Sequence, residues 1–499
     1  MIENFTSRTL KALSWGYLGT LVNASLQLGL TVIMARLLEP AAFGLVAMAG
    51  IILRFGQYFA QLGIGSSLIQ KEELTKKDIC AGFTSTTLLG FVFFCLTYVL
   101  APLGLYLFNF PLVVPVLRAM GFSLFLSGLS TTALSLLRRK LAFRQLAVID
   151  TISYLVGYGV IGIILALMGY GVWSLVIASL SQACLTAILA YLFERHIVLI
   201  SFNWDIHKRL ISYGGFVSII SFLEFIGYNI DTFAIGRVWG AQALGIYTRS
   251  LAIVQLPIEY GATTISKVMF SSFSLIQSDI LRLRRSYYSS MMLVMVVIIP
   301  VGFGMMTAAR ELVLTLLGSK WISGIAILQI LSVFIILSMG ANLPGILCVS
   351  VGKLKGKFVI QLLYIFLVIM LISLTYQYGI ETIAMMIVLA SIFKFMAYQS
   401  LMRSTIGISY SDLFKTLLPG LLVSIAVVIG IISAQYLFRN LPLVALLCME
   451  IIVAGILFIL FVIIKPPKLL KEVIKQTLIN LGEGKLGDRV RNIAMNWYQ

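Results

Sequence analysis

The stretch RLLEPAAFGLVAMA, Arg36–Ala49, returns 201 positions later as RVWGAQALGIYTRS, Arg237–Ser250. Arg36 falls on Arg237, Ala42 on Ala243, Phe43 on Leu244, Gly44 on Gly245 and Leu45 on Ile246. Each copy follows an apolar run holding a few polar residues and leads into another that contains an arginine. Such a pattern fits a tight turn between two membrane helices: small residues let the chain reverse, and the arginine sits at head-group level. The hydropathy downstream keeps the same period, so the chain divides into two similar halves.

Of 499 residues, 60% are hydrophobic and 11% charged, where a soluble domain carries roughly a quarter charged. Apolar runs of about twenty residues recur from Trp15 to Lys465, each long enough to cross a hydrocarbon core of about 30 Å as a helix. The runs are continuous, not alternating, which excludes a β-barrel. The expected fold is an all-α polytopic membrane protein with about fourteen transmembrane helices. The halves form two six-helix lobes, residues 1–200 and 201–403. Two appended helices span 404–465, and a cytoplasmic amphipathic tail follows at 466–499. Because six is even, both lobes enter the membrane in the same direction, a parallel pseudo-repeat with the substrate path expected between them. The second helix is expected at about 41–70, the ninth at about 287–309 and the thirteenth at about 416–438.

The net charge of +18 follows from topology. On this map the odd-numbered loops hold only Arg36, Arg237, Arg310, Lys320 and Arg439. The other Lys and Arg outside helices lie in both termini and the even-numbered loops, such as Lys71–Asp78 and Arg138–Arg144. This puts both termini in the cytoplasm and makes nucleic acid an unexpected partner. The linker Glu194–Leu210 joins the halves on the same side. In the tail, Leu469, Leu470, Val473, Ile474 and Leu478 fall at helical spacing beside Lys468, Lys471 and Lys475. They read as a basic helix on membrane lipid, or as a docking site for a partner enzyme.

Several chemistries are excluded. Cys80, Cys95, Cys184, Cys348 and Cys448 are scattered through apolar runs with no CxxC pair, and His196 and His207 share one loop. Neither a disulfide framework nor a metal site is implied. No cleavable signal is expected, since the first apolar run is long and leads straight into more membrane. There is no GxxxxGK[ST] phosphate loop and no outer loop longer than about a dozen residues on this map to carry a catalytic constellation. No enzyme activity and no cofactor are expected.

Charges inside the membrane each cost about 2.5–3.5 kcal/mol to insert at the centre, so each needs a reason. Arg54, Gln57 and Gln61 share one face of the second helix, lining either a wet cavity or a buried hydrogen-bond network. Arg118 and Arg249 lie toward the outer third and Lys267 toward the inner end. Each reads as a cavity cation or as a snorkelling head-group anchor. Glu224 and Asp231 share a face of the seventh helix with Asn229 nearby, and Glu259 follows Pro257 in the eighth. These acids are candidates for coupling to H⁺ or Na⁺, or partners in fixed ion pairs. Asp150 and Glu450 read as structural. The cations fit an anionic substrate group, since guanidinium and ammonium suit phosphate. Pro102, Pro115, Pro257, Pro300, Pro344 and Pro419 are expected to interrupt helices, bends that alternating access needs.

MARLLEPAAFGLVAMA resembles the first-loop signature of the polysaccharide transporter family, with Arg36, Pro40, Phe43 and Gly44 carrying the match. That family includes Wzx-type flippases and the colanic and teichuronic acid exporters. It lies within the multidrug/oligosaccharidyl-lipid/polysaccharide exporter superfamily. The resemblance implies a V-shaped pair of lobes around a central cavity. It implies that an undecaprenyl-diphosphate-linked oligosaccharide is turned across the bacterial inner membrane. It implies that cavity cations hold the diphosphate; Arg54 matches best, then Arg249, then Arg118 and Lys267. Lipid II flippases carry several arginines in the first helix, whereas this chain offers Asn23 and Gln27. A multidrug exporter would favour twelve helices and an acidic cavity. A membrane-embedded glycosyltransferase or polymerase needs a large outer loop, and a scaffold would tolerate loss of every intramembrane charge.

Overall fold

The structure, a computed structural model, describes residues 19, 22–61, 64–71, 74–198 and 215–464. At 58–61, 66, 70, 215–221, 257–268, 271, 462 and 464 it describes the backbone alone. The lead-in before the first helix, most of the linker between the halves and the basic tail lie outside the described residues.

The described residues are nearly all helical and contain no strand. Eleven of their helices are long and apolar enough to cross a membrane. Beside these stand Val22–Leu37 (α1) and one kinked element of 61 residues, Gly215–Leu275. The expected polytopic helical fold is present. The helix Tyr410–Leu437 shows why the surroundings must be lipid. Its buried face carries Val423, Val427, Ile431 and Ala434, and its exposed face carries Leu418, Leu422, Ile425, Ile429, Ile432 and Tyr436. Both faces are apolar, which water does not tolerate over a patch this long.

Contact clustering divides the chain into two compact units. The first gathers Met1–Arg249, Leu316–Gly324 and Val368–Ile383. It holds α1, α2 (Pro40–Gln61), α3 (Ile64–Gln70), α4 (Lys76–Leu100), α5 (Leu103–Phe108), α6 (Val113–Arg139), α7 (Phe143–Leu167), α8 (Val172–Phe193) and the front of α9 (Gly215–Leu275). The expected second helix of 41–70 is thus two helices. A capping box starts α4: Thr75 Oγ1 accepts from Asp78 N at 3.3 Å while the Asp78 carboxylate accepts from Thr75 N at 2.9 Å, satisfying two orphan donors. Helix α6 sits at the centre of the unit, packed on α2, α4 and α8. Leu53, Leu117, Met120, Leu124 and Val176 fill the seam. Helix α7 widens into a π-helical segment over Leu155–Gly162, where Tyr154 and Tyr158 stack with centroids 4.8 Å apart.

The repeated turn packs against itself. Gly44 lies on Ala241, so that a Cβ there would overlap the Ala241 carbonyl; Gly245 lies on Pro40, and a Cβ there would overlap the Pro40 carbonyl. Position 44 plus the repeat offset is 245, and 40 plus the offset is 241, so the contact is reciprocal about a pseudo-two-fold axis. Only glycine permits such an approach of two backbones. Gly240, at φ 74°, makes the sharp bend that separates the two helical parts of α9; a positive φ of this kind strains any residue with a Cβ.

The second unit gathers Ser250–Thr315, Ile325–Leu367 and Ala384–Gln499. After the rest of α9 come α10 (Ile280–Thr307), α11 (Gly324–Ser350), α12 (Leu354–Thr375), α13 (Ile380–Ile406), α14 (Tyr410–Leu437) and α15 (Leu443–Ile464), the end of α12 from Val368 and the start of α13 up to Ile383 counting with the first unit. Within the unit α10 packs on α14, and α14 on α15. Helix α10 begins seven residues before its expected start because Asp279 caps it, accepting from Arg282 N at 3.0 Å. Helix α14 starts six residues early, after Ser409. The prolines divide into two groups. Pro102 precedes α5 and Pro115 lies in the first turn of α6, where no helical donor is lost. Pro300, Pro344 and Pro419 sit inside continuous helices.

Candidate functional site

Arg54 lies five residues past the end of the repeated stretch, in the membrane-crossing part of α2, and its side chain is exposed. Its Nη2 donates to Asn229 Oδ1 at 3.1 Å. Asn229 is fixed in turn, donating from Nδ2 to Phe225 O one helical turn back at 2.7 Å. Beside this pair Phe55 of α2 meets Phe222 of α9 edge to face, centroids 5.7 Å apart. One exposed guanidinium is therefore held by a neutral amide, which fixes its orientation without neutralising its charge. A charged group presented in this way attracts an anion strongly where water is thin.

Arg249 stacks over the ring of Phe43 with Cζ 4.9 Å from the centroid, a cation–π contact. Its Nε is buried without a hydrogen-bond partner. Phe43 meets Trp321 edge to face at 5.5 Å, and Trp321 Nε1 donates to Ala35 O at 3.0 Å. Lys320 pairs with Glu39 at 2.7 Å. Arg249 thus belongs with the repeated turn. The matching arginine Arg237 donates to Tyr106 O and, at 3.4 Å, to Asn109 Oδ1.

Arg118 donates from Nε to Tyr98 O at 3.4 Å, its Cζ lying 5.0 Å from the Tyr98 ring centre. It ties α6 to α4. Asp231 is buried and accepts from Tyr247 Oη, from Thr232 N at 2.6 Å and from Thr232 Oγ1 at 3.2 Å. Three donors already occupy its carboxylate. Glu224 is half-buried on the same element. The side chains of Gln61, Glu259 and Lys267 lie outside the described residues. The structure brings Arg54, Asn229 and, one turn on, Gln57 together in the first unit; Arg249 stands apart with Phe43. Asn23, on α1, accepts from Thr151 Oγ1 at 2.9 Å and is engaged with α7.

Two features escape a reading of charge alone. Trp321 is fully buried and seats the repeated turn from 286 residues away in the chain. A line of hydroxyls on α6, beginning at Ser123, faces a cavity in the first unit. Its signal was present as spacing of three and four among serines and threonines, but uncharged side chains cost little to insert and so drew no notice. Among the described residues no cluster of His, Cys, Asp and Glu could hold a metal.

The chain is 23% identical to the Escherichia coli lipopolysaccharide biosynthesis protein WzxC, over 84% of this chain and 87% of that one. It is 22% identical to the Bacillus subtilis teichuronic acid biosynthesis protein TuaB, over 82% and 86%. Among solved structures, the lipid II flippase MurJ in an inward closed conformation superimposes with a TM-score of 0.70 at 15% identity, covering 90% of this chain and 98% of that one. An inward-facing multidrug resistance MATE transporter gives 0.60 at 15% identity, covering 79% and 96%. The fold is that of the multidrug/oligosaccharidyl-lipid/polysaccharide exporters, a multi-pass membrane transporter fold. The family model described as polysaccharide biosynthesis protein matches residues 33–326, more than half of the sequence and inclusive of both repeated turns: the chain belongs to the polysaccharide biosynthesis protein family.

Proposed function

We propose that the protein is a flippase that turns undecaprenyl-diphosphate-linked oligosaccharide units across the bacterial inner membrane, for cell-surface polysaccharide biosynthesis. The observation that carries this reading is Arg54: an exposed guanidinium in a membrane-crossing helix, oriented by Asn229 and left with its charge intact. A diphosphate is the group that such a fork recognises best. Transport proceeds by alternating access, with both termini in the cytoplasm and the diphosphate reaching Arg54 from that side. Reset draws on H⁺ or Na⁺. Glu224, Asp231 and Glu259 are the coupling candidates, Asp231 already accepting from Tyr247 and Thr232. Polymerase and assembly proteins receive the unit once it is outside.

The test is Arg54→Ala in cells deleted for the native gene. Surface polymer should fall at least tenfold and lipid-linked intermediates should accumulate, with Arg54→Lys partly restoring export because a point charge replaces the fork. Full export by correctly inserted Arg54→Ala protein would end the diphosphate-anchor role.

A further inference from the structure

The first unit contains a cavity of about 440 Å³, within the roughly 300–1,000 Å³ range of small-molecule sites. On α6 the polar residues that line it are Ser123, Ser127, Ser130, Thr131, Ser135 and Arg138, with Leu134 among them. Their spacings repeat every three and four residues, so one face of the helix is polar over about 22 Å at 1.5 Å per residue. Helix α8 answers with Ser179, Gln182 and Thr186 at the same period, and α2 contributes Gln57. Every one of these segments is apolar enough to span a membrane.

Among the described residues no carboxylate lines the cavity, which favours a neutral or anionic occupant over a cation. Three of its hydroxyls share a polarity. Ser130 Oγ and Thr131 Oγ1 both donate to Ser127 O, at 3.0 and 2.7 Å, and Ser179 Oγ donates to Val176 O at 2.8 Å. With their protons spent on the helices, these oxygens offer lone pairs to an occupant. Gln57 and Gln182 add amides that donate and accept. Hydroxyl acceptors beside the donors of Gln57, Gln182 and Arg138 suit a ligand rich in O–H groups. Gln57 stands one turn beyond Arg54 on the same face of α2, which sets the cavity next to the guanidinium.

We propose that this cavity is a carbohydrate subsite, receiving the sugar attached to the diphosphate, with Arg138 at its far end. The inference rests on the reading of Arg54 as diphosphate anchor and extends it by naming where the sugar goes.

The test uses the purified full chain in detergent and two probes, farnesyl diphosphate and farnesyl diphosphate bearing one N-acetylglucosamine, with dissociation constants read by calorimetry. Thr131→Val, which keeps shape and removes the hydroxyl, and Gln182→Leu should each weaken the sugar-bearing probe about tenfold and leave farnesyl diphosphate unchanged. Arg54→Ala should weaken both probes. If both cavity variants bind the sugar-bearing probe like the wild type while Arg54→Ala weakens both, the cavity holds water only, and the subsite fails with the flippase reading intact. Selective loss in the cavity variants with Arg54→Ala silent supports the subsite and removes the diphosphate anchor. Wild-type protein that binds the two probes equally, or neither, overturns the subsite.

Discussion

Gly44→Ala and Gly245→Ala should each prise apart the contact made by the repeated turn. A methyl at either position would overlap a carbonyl oxygen, of Ala241 in one case and Pro40 in the other. A backbone carbonyl in a helix cannot swing aside as a flexible side chain does, so the helices must separate. Overpacking of this kind costs about 1–3 kcal/mol, which changes the balance of closed and open forms about 5–150-fold. Leu244, fully buried in the second turn, reports the change when replaced by cysteine in a chain whose five native cysteines are removed. Leu244→Cys is smaller than the native residue and adds no clash of its own. Labelling of intact cells with a membrane-impermeant maleimide should be slow in this background and at least fivefold faster with either glycine substitution. Gly29→Ala is the control, since a Cβ there meets nothing within 4 Å, and its rate should match the parent. Labelling unchanged by either glycine variant in folded protein would show that this contact does not hold the turns together. A response to one glycine but not the other would refute the reciprocity.

Three further outcomes are expected. Trp321→Phe removes the donor to Ala35 O and should cost about 1–3 kcal/mol, read as a lower unfolding temperature in detergent; no shift would show that the indole is not what seats the turn. Gln435→Leu should destabilise by a similar amount, because Gln435 Nε2 donates to Glu450 Oε1 at 2.9 Å and Glu311 Oε2 at 3.4 Å and both acids are buried; an unchanged melting curve would mean that the carboxylates do not depend on it. His196 packs on Phe83 and Tyr191, centroids 5.2 and 5.6 Å away, and burial pushes its imidazole below the ordinary 6.5. The neutral ring is favoured when folded, so its stabilisation is present above pH 6.5 and is lost as pH falls through the lowered value. His196→Phe should flatten the fall in stability on that acid side, and an unaltered slope would reassign it to other groups.

Much of the architecture was legible because insertion into lipid constrains sequence so tightly. Apolar runs longer than about twenty residues admit few alternatives to helices, and α6, α8 and α15 stand within two residues of the runs at about 113–137, 170–193 and 441–464, whereas the run at about 80–107 is broken into α4 and α5. Boundaries were harder where polar chemistry sets them. Asp279 starts α10 within a charged segment that hydropathy counted as loop, and the break between α2 and α3 falls inside an apolar run that hydropathy read as one helix. At the site, charge singled out Arg54, which is exposed beside Gln57 on α2, but could not distinguish roles among the cations. Arg118 and Arg249 carry the same signal, yet one clasps Tyr98 and the other Phe43. Their neighbours arrive from other helices, which no local pattern encodes.

The repeat explains more than the division of the chain. If two copies of a turn meet about a two-fold axis, a residue of one copy must contact the offset partner of its own neighbour in the other. Pro40 meeting Gly245 and Ala241 meeting Gly44 satisfy that rule with an offset of 201 in both directions. Arg237, the offset partner of Arg36, holds the Tyr106 and Asn109 turn of the first half. Small size at positions 44 and 245 is then required twice over, because enlarging either one breaks a contact that both copies share. The residues that first revealed the repeat, glycine foremost, are those whose size the self-contact constrains, and this is the physical reason the likeness survives there while the flanking helices, free to exchange one apolar residue for another, have lost it.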